Sequence, residues 1–222
     1  MTGASDVPPL THLPPGDQSS DGRRERGRQS RAAVLGRSVQ LASRFGLEGL
    51  SIGALATDLG IHKSSVHALF GSKAELQQAT LATARLMLID HVIVPSLPNE
   101  VGRSRLEAIG EAWCDYLAAD VFDGGCFLCA AAAEMDGRPG PLRDAVASVL
   151  REWITVLREN IDAAIAEGAF RPDVDPAALS FRLNAVGMAA NWQRQLFDDQ
   201  AGIDHARAAW RAELEWAAAD RR

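Results

Sequence analysis

The chain has 222 residues, enough to bury a core as one compact unit or two small ones, with a formal charge of −6 and a pI near 5.4. No run of about 18 apolar residues occurs, which excludes a membrane-spanning helix, and the opening MTGASDVPPLTHLPPGD lacks the basic and apolar regions of a signal peptide. Cys114, Cys126 and Cys129 are an odd set, read as free thiols of a cytoplasmic protein.

The acidic total hides an asymmetry. Residues 23–78 carry nine Lys/Arg against four Asp/Glu, whereas residues 79–222 carry fourteen against twenty-two. A basic N-terminal block on an acidic remainder is the pattern of a DNA-binding head on a body that stays off DNA.

In chain order, residues 1–22 are rich in Pro, Gly, Ser and Asp and too poor in apolar side chains to fold alone. With the start of the arginine run RRERGRQSR they make an N-terminal extension, 1–27, expected to be disordered. Arg23, Arg24, Arg26, Arg28 and Arg31 suit either a basic arm along phosphates, with Arg28 a DNA contact, or a soluble tail. Val34, Leu35, Val39, Leu41, Ala42 and Phe45 then share one helical face, and Gly46 ends that helix. Later helices are expected near 51–59, 62–69, 73–94, 102–120, 125–135, 140–167, 176–197 and 203–219. Pro95, Pro98, Gly124-Gly125, Pro139-Gly140-Pro141, Gly168 and Pro172 supply the breaks, and Asp175-Pro176 reads as an N-cap followed by a first-turn proline. No alternating strand pattern and no internal repeat appear. The fold class is all-α, with about nine helices in two domains, 28–76 and 77–222.

The informative segment is GLEGLSIGALATDLGIHKSSVHALFGSKAEL, residues 46–76. Ser51 caps a short helix whose stripe is Ile52, Leu55, Ala56 and Leu59. Gly60 permits a left-handed turn, and a second short helix starts around His62 with Val66, Leu69 and Phe70 as its apolar positions. Small Ala56 lets the two helices approach, and branched Val66 packs between them. This is the helix-turn-helix pattern. In that motif the N-terminal end of the second helix points into the major groove, where His62, Lys63, Ser64 and Ser65 can meet base edges or phosphates. Gly71-Ser72-Lys73 opens the next helix, and a capped N-terminus beside a lysine favours a phosphate oxygen.

Residues 31–76 resemble the N-terminal domain of the TetR family of transcriptional regulators. The resemblance rests on a first helix (Arg31 to Phe45), Gly46, the Ser51 cap, Ala56 to Gly60, and FGSKAEL at 70–76. His67 stands where the family usually has Tyr or Phe, and Leu69 where His is frequent; an imidazole at 67 can still donate to phosphate. The stretch GGCFLCAAAAEMDGRPGPLRD, 124–144, is similar to one subset of these regulators. The resemblance implies a cytoplasmic homodimer on a near-palindromic double-stranded operator, usually as a repressor, released when a small-molecule effector binds the larger C-terminal domain. The residues assigned to DNA are Ser51, His62, Lys63, Ser64, Ser65, His67, Lys73 and Arg28.

The C-terminal part holds more aromatic and Met side chains than one helical seam needs. Core packing explains each singly; together Trp113, Tyr116, Phe127, Met135, Trp153, Met188 and Trp192 are candidates to line an apolar effector pocket, with Phe122 nearby. Asn184, Asn191 and Gln193 would add polar contacts. The helices at 176–197 and 203–219 are the candidate dimer interface, the last through Ala206, Ala209, Trp210, Leu214, Trp216 and Ala217; docking within the chain is the alternative. Cys126-x-x-Cys129 lacks the two further ligands a zinc site needs, and reads as core packing or as a thiol sensor. His91 and His205 are isolated, and neither a metal nor a cofactor is expected. No Glu-x-x-His pair, nucleophile elbow, P-loop or dinucleotide fingerprint points to an enzyme. The competing function is a helical adaptor whose basic end binds an acidic partner.

Overall fold

The computed structural model describes residues 18–219, with side chains from residue 27 to 219. The described residues fall into two units, one up to Ala33 and one from Val34 onward. Among the described residues the chain is helical: α1 Gln18–Gly49, α2 Ile52–Leu59, α3 Lys63–Phe70, α4 Lys73–Leu88, α5 Arg103–Ala118, α6 Phe127–Met135, α7 Pro141–Ala166, α8 Pro176–Leu196 and α9 Ala201–Ala217. A π-turn at Ile89–Ile93 and a 3-10 turn at Val94–Ser96 prolong α4, which ends earlier as an α-helix than its sequence pattern predicts because Pro95 lacks a backbone donor. None of these helices is long and apolar enough to cross a membrane.

Two expectations for α1 need correction. Residues 18–27, read as part of a disordered extension, are helical; the rest of that extension, 1–17, lies outside the described residues. Arg, Gln and Glu are good helix formers, and adding residues to a nucleated helix is cheap even without apolar burial. Phe45, placed on the buried face, is 62 % exposed, with the Arg44 guanidinium 5.2 Å from its ring centre. Gly46 does break the helix: its φ of 81° and ψ of 162° turn the chain before the final residues to Gly49.

The residues from Val34 to Ala217 share one core that crosses the boundary expected at 76/77. Buried Ser38 and Thr80 face each other at 2.9 Å between α1 and α4, and Gln77 Nε2 donates to the Leu47 carbonyl at 2.7 Å. Buried polar groups of this kind fix the register of a helix pair because leaving either unpaired costs about 1–3 kcal/mol.

The larger bundle is built on Trp113. Its ring meets Trp153 edge-on at 4.9 Å and Trp210 edge-on at 5.9 Å. Gly187 on α8 allows that packing, since a Cβ there would overlap the Trp113 ring. Trp210 donates to the Leu106 carbonyl at 2.9 Å, seating α9 on α5. Ala206, Trp210, Leu214 and Ala217, assigned to a dimer interface, are therefore buried within their own chain. The apolar face of α9 is used intramolecularly because α5 and α8 together offer it a groove. What stays exposed is Trp216 on α9, with Phe181, Trp192, Leu196 and Phe197 on or beside α8.

Candidate nucleic-acid interface and the cavity behind it

Ser51 starts α2 by accepting a bond from the Ala54 N–H at 3.1 Å. Gly60, at φ 66° and ψ 28°, ends α2 in the left-handed conformation, and Ile61 N–H returns to the Ala56 carbonyl at 3.0 Å. His62 is the extended residue before α3 rather than its first helical residue, which is Lys63. Leu55, Ala56 and Val66 are buried at the crossing, as the small and branched side chains require. Arg37 grips Asp58 with two bonds, at 2.5 and 2.8 Å, tying α2 to α1, and this pairing raises the guanidinium pKa and lowers that of the carboxyl.

The frame leaves one face of α3 outward. His62, Lys63, Ser64, Ser65 and His67 are all exposed and adjacent, at the N-terminal end where helix N–H groups and positive dipole favour anions. Ser51 is half-buried, with its oxygen engaged as a cap. Lys73 differs from Lys63: its ammonium donates to the Glu48 carbonyl at 2.7 Å and the Glu48 carboxylate at 3.1 Å, and that contact lowers the Glu48 pKa. The start of α4 is also occupied, since Ser72 Oγ accepts the Glu75 N–H at 3.2 Å and donates to the Glu75 carboxylate at 3.2 Å. Lys73 thus holds α4 to the end of α1. Arg28 is exposed on α1 within residues 1–33, and the side chains of Arg23, Arg24 and Arg26 lie outside the described residues.

Behind this head lies an apolar cavity of about 130 Å³. Of the residues assigned to a pocket, Trp113, Trp153 and Met188 line it. Tyr116, Phe127 and Met135 are buried in the core and do not line it, because their positions on α5 and α6 face other packing partners. Trp192 is 58 % exposed, on the outward side of α8. Asn184 lines the cavity and accepts the Trp153 indole N–H at 3.1 Å. Asn191 instead accepts the Cys126 N–H at 2.7 Å, and Gln193 reaches Asp199 at 3.4 Å. The sequence reading missed Cys126, Cys129, Leu88, Leu150 and Ile154 as lining residues; periodicity shows which positions are buried, not which buried positions border a void.

The same reading missed the link between cavity and head. Cys126, Leu128, Cys129 and Ala132 of α6 and its cap wall the cavity, and Glu134 of α6 reaches the other way. Its carboxylate accepts the N–H groups of Leu47 and Glu48 at 2.7 and 2.9 Å, at the break that Gly46 makes in α1. The loop before α6 is bound to α1 as well. Gln40 donates to the Val121 carbonyl at 3.0 Å and accepts from Asp123 N–H at 2.8 Å, and Ser43 accepts from Gly124 N–H at 3.1 Å. Gly124 lies so close to the Ser43 carbonyl that a Cβ would overlap it.

Residues 102–210 match the family model described as Tetracyclin repressor-like, C-terminal domain. The fold matches a TetR transcriptional regulator from Chloroflexus aurantiacus with a TM-score of 0.80 at 22 % identity, covering 87 % of this chain and 98 % of that one. A TetR-family regulator from Cytophaga hutchinsonii matches with a TM-score of 0.78 at 18 % identity, over 88 % and 98 % of the two chains. AibR, in complex with isovaleryl coenzyme A and operator DNA, matches with a TM-score of 0.64 at 18 % identity, over 80 % and 94 %. No curated protein matches the sequence significantly. Residues 102–210 are thus similar to the C-terminal domain of tetracyclin-repressor-like proteins, and the chain has the fold of TetR-family transcriptional regulators.

Proposed function

We propose that the protein is a ligand-responsive DNA-binding transcriptional regulator, a repressor that leaves its operator when a small molecule enters the cavity between α5, α6, α7 and α8. The observation that carries this reading is the path through α6: one side of the helix walls the cavity and the other holds, through Glu134, the end of α1 beside α2 and α3. A ligand that shifts α6 by a fraction of an ångström must strain or break those bonds. An effector acts only through such differential contacts with two states. AibR, which shares the fold, was solved with both an acyl coenzyme A and operator DNA.

Within the head, Lys63, Ser64, Ser65, His62 and His67 read the major groove, and Lys73 with Ser51 positions the frame. Replacing Lys63 with Ala is expected to weaken operator affinity about tenfold and to leave thermal stability unchanged, because its side chain is exposed. Lys73→Ala should lower the melting temperature as well as the affinity, since it removes two bonds to Glu48. Calorimetry beside fluorescence anisotropy on an operator duplex checks both. Equal loss of stability in the two variants would overturn the division of roles.

Two heads on one palindrome require a dimer. Phe181, Trp192 and Leu196 are exposed at 71 %, 58 % and 74 %, and their spacing of eleven and four residues aligns them along one face of α8. Trp216 stands beside them, its ring under the Arg182 guanidinium at 4.3 Å. A single contiguous apolar stripe of this kind marks an interface between chains. Sedimentation should give a dimer for the unaltered chain and a folded monomer for Trp192→Glu; a monomer for both would remove the interface.

A further inference from the structure

The cavity wall holds two thiols one helical turn apart. Cys126 is the residue before α6 and Cys129 lies in its first turn; both line the cavity. The Cys129 thiol, the Tyr116 hydroxyl and the backbone N–H groups of Leu128 and Cys129 are the neighbours that favour the charged form of the Cys126 sulfur. The Cys129 bond is the largest influence, and against the opposing effect of burial these donors bring the Cys126 thiol below its ordinary range. Cys129, giving its proton toward Cys126, is raised, as is the buried Tyr116. Cys114 does not line the cavity, and burial pushes its thiol up to about 11. Two of the three cysteine sulfurs therefore face the void, and of these Cys126 is the one whose surroundings favour the thiolate.

The rest of the lining describes what fits there. No Asp, Glu, Lys, Arg or His borders the cavity, so the occupant is neutral. Its volume of about 130 Å³ is close to that of an engineered cavity, about 150 Å³, that takes up benzene. The polar needs are few. Asn184 Nδ2 has only the Met188 sulfur, at 3.4 Å, and the buried Trp113 indole N–H has no partner among the described residues. A single carbonyl oxygen would serve such a site.

We propose that Cys126 is the covalent attachment point for a small α,β-unsaturated carbonyl compound, a six-membered enone or a quinone, taken into this cavity. The sulfur adds to the β carbon and a C–S bond forms. The π pair of the alkene passes to the carbonyl oxygen as an enolate, and the α carbon then takes up the proton that the thiol released. Thiol and enone become one thioether, with no oxidant and no leaving group. The site stands on the cavity and its thiols; that its occupation releases DNA rests on the function proposed above.

The test uses the full chain, 2-cyclohexenone and its saturated counterpart cyclohexanone, read by intact mass and peptide mapping. One equivalent of enone is expected on Cys126, at least about tenfold faster than on Cys114, with no adduct from cyclohexanone. Tyr116→Phe and Cys129→Ala should each slow the labelling while keeping the helical circular dichroism spectrum. No adduct, equal labelling of Cys114, or first labelling of Cys129 would overturn the proposal. So would a chain that ignores the enone and forms only a Cys126–Cys129 disulfide with hydrogen peroxide. Operator binding by the labelled chain separates the two readings. Loss of binding supports both, whereas labelled protein that keeps its operator supports the covalent site and contradicts the effector role of the cavity.

Discussion

Gly124→Ala should lower stability by about 3 kcal/mol, at the upper end of overpacking costs, and should reduce the melting temperature by roughly 10 °C for a chain of this size. The added methyl would overlap the Ser43 carbonyl, which is backbone and cannot rotate away. The loop must then lift off α1, taking with it the bonds to Gln40 and Ser43. Since that loop leads directly into α6, operator affinity should fall even though no DNA-facing residue has changed. Gly137→Ala is the control, because a Cβ there meets nothing within 4 Å; it should be neutral. Calorimetry on both variants decides the matter, and equal melting temperatures would show that the contact at Gly124 is not tight.

Glu134→Ala carries the second large effect. It leaves the Leu47 and Glu48 N–H groups without their carboxylate acceptor. Hydrogen bonds to a charged partner contribute about 1.5–3 kcal/mol each, and the Glu48 bond is exposed enough for water to replace it, so a net loss of about 2 kcal/mol is expected. The functional consequence should be larger than the loss of stability. With the α6–α1 bridge gone, ligand should still enter the cavity while its effect on operator affinity shrinks. Glu134→Gln keeps one oxygen for one of the two donors and should fall between. Binding isotherms for DNA with and without ligand measure the coupling directly, and an unchanged coupling in Glu134→Ala would show that the signal travels elsewhere.

The head was legible in the sequence because its determinants are local. Ser51, Gly60, Ala56 and Val66 each satisfy a requirement set by residues within ten positions, so spacing alone exposes them. The helix breaks at Gly46, Gly140 and Pro176 follow from the same local chemistry. The cavity and the link were not legible, since both depend on contacts between residues far apart in the chain. Glu134 meets Leu47 across 87 positions, and nothing in FLCAAAAEM marks that carboxylate as a cap for a distant helix. Lys73 shows the converse. Its place in FGSKAEL resembles a phosphate contact, yet Glu48, brought beside it by the turn at Gly46, holds its ammonium. Trp210 and Trp216 illustrate how periodicity overcounts: both are apolar positions of α9, but only the tertiary fold reveals that one docks inside and one remains exposed.

In the proposed function, the exposed end of α3 reads a DNA sequence. A titration of the full chain against the duplex upstream of its own gene and a scrambled duplex of equal length, repeated from 50 to 200 mM salt, addresses it most directly. The complex with the upstream duplex is expected to be at least about 10³-fold tighter, and the weak scrambled complex should dissolve as salt rises. Equal affinity for the two duplexes, or no binding to either at 50 mM salt, would contradict it.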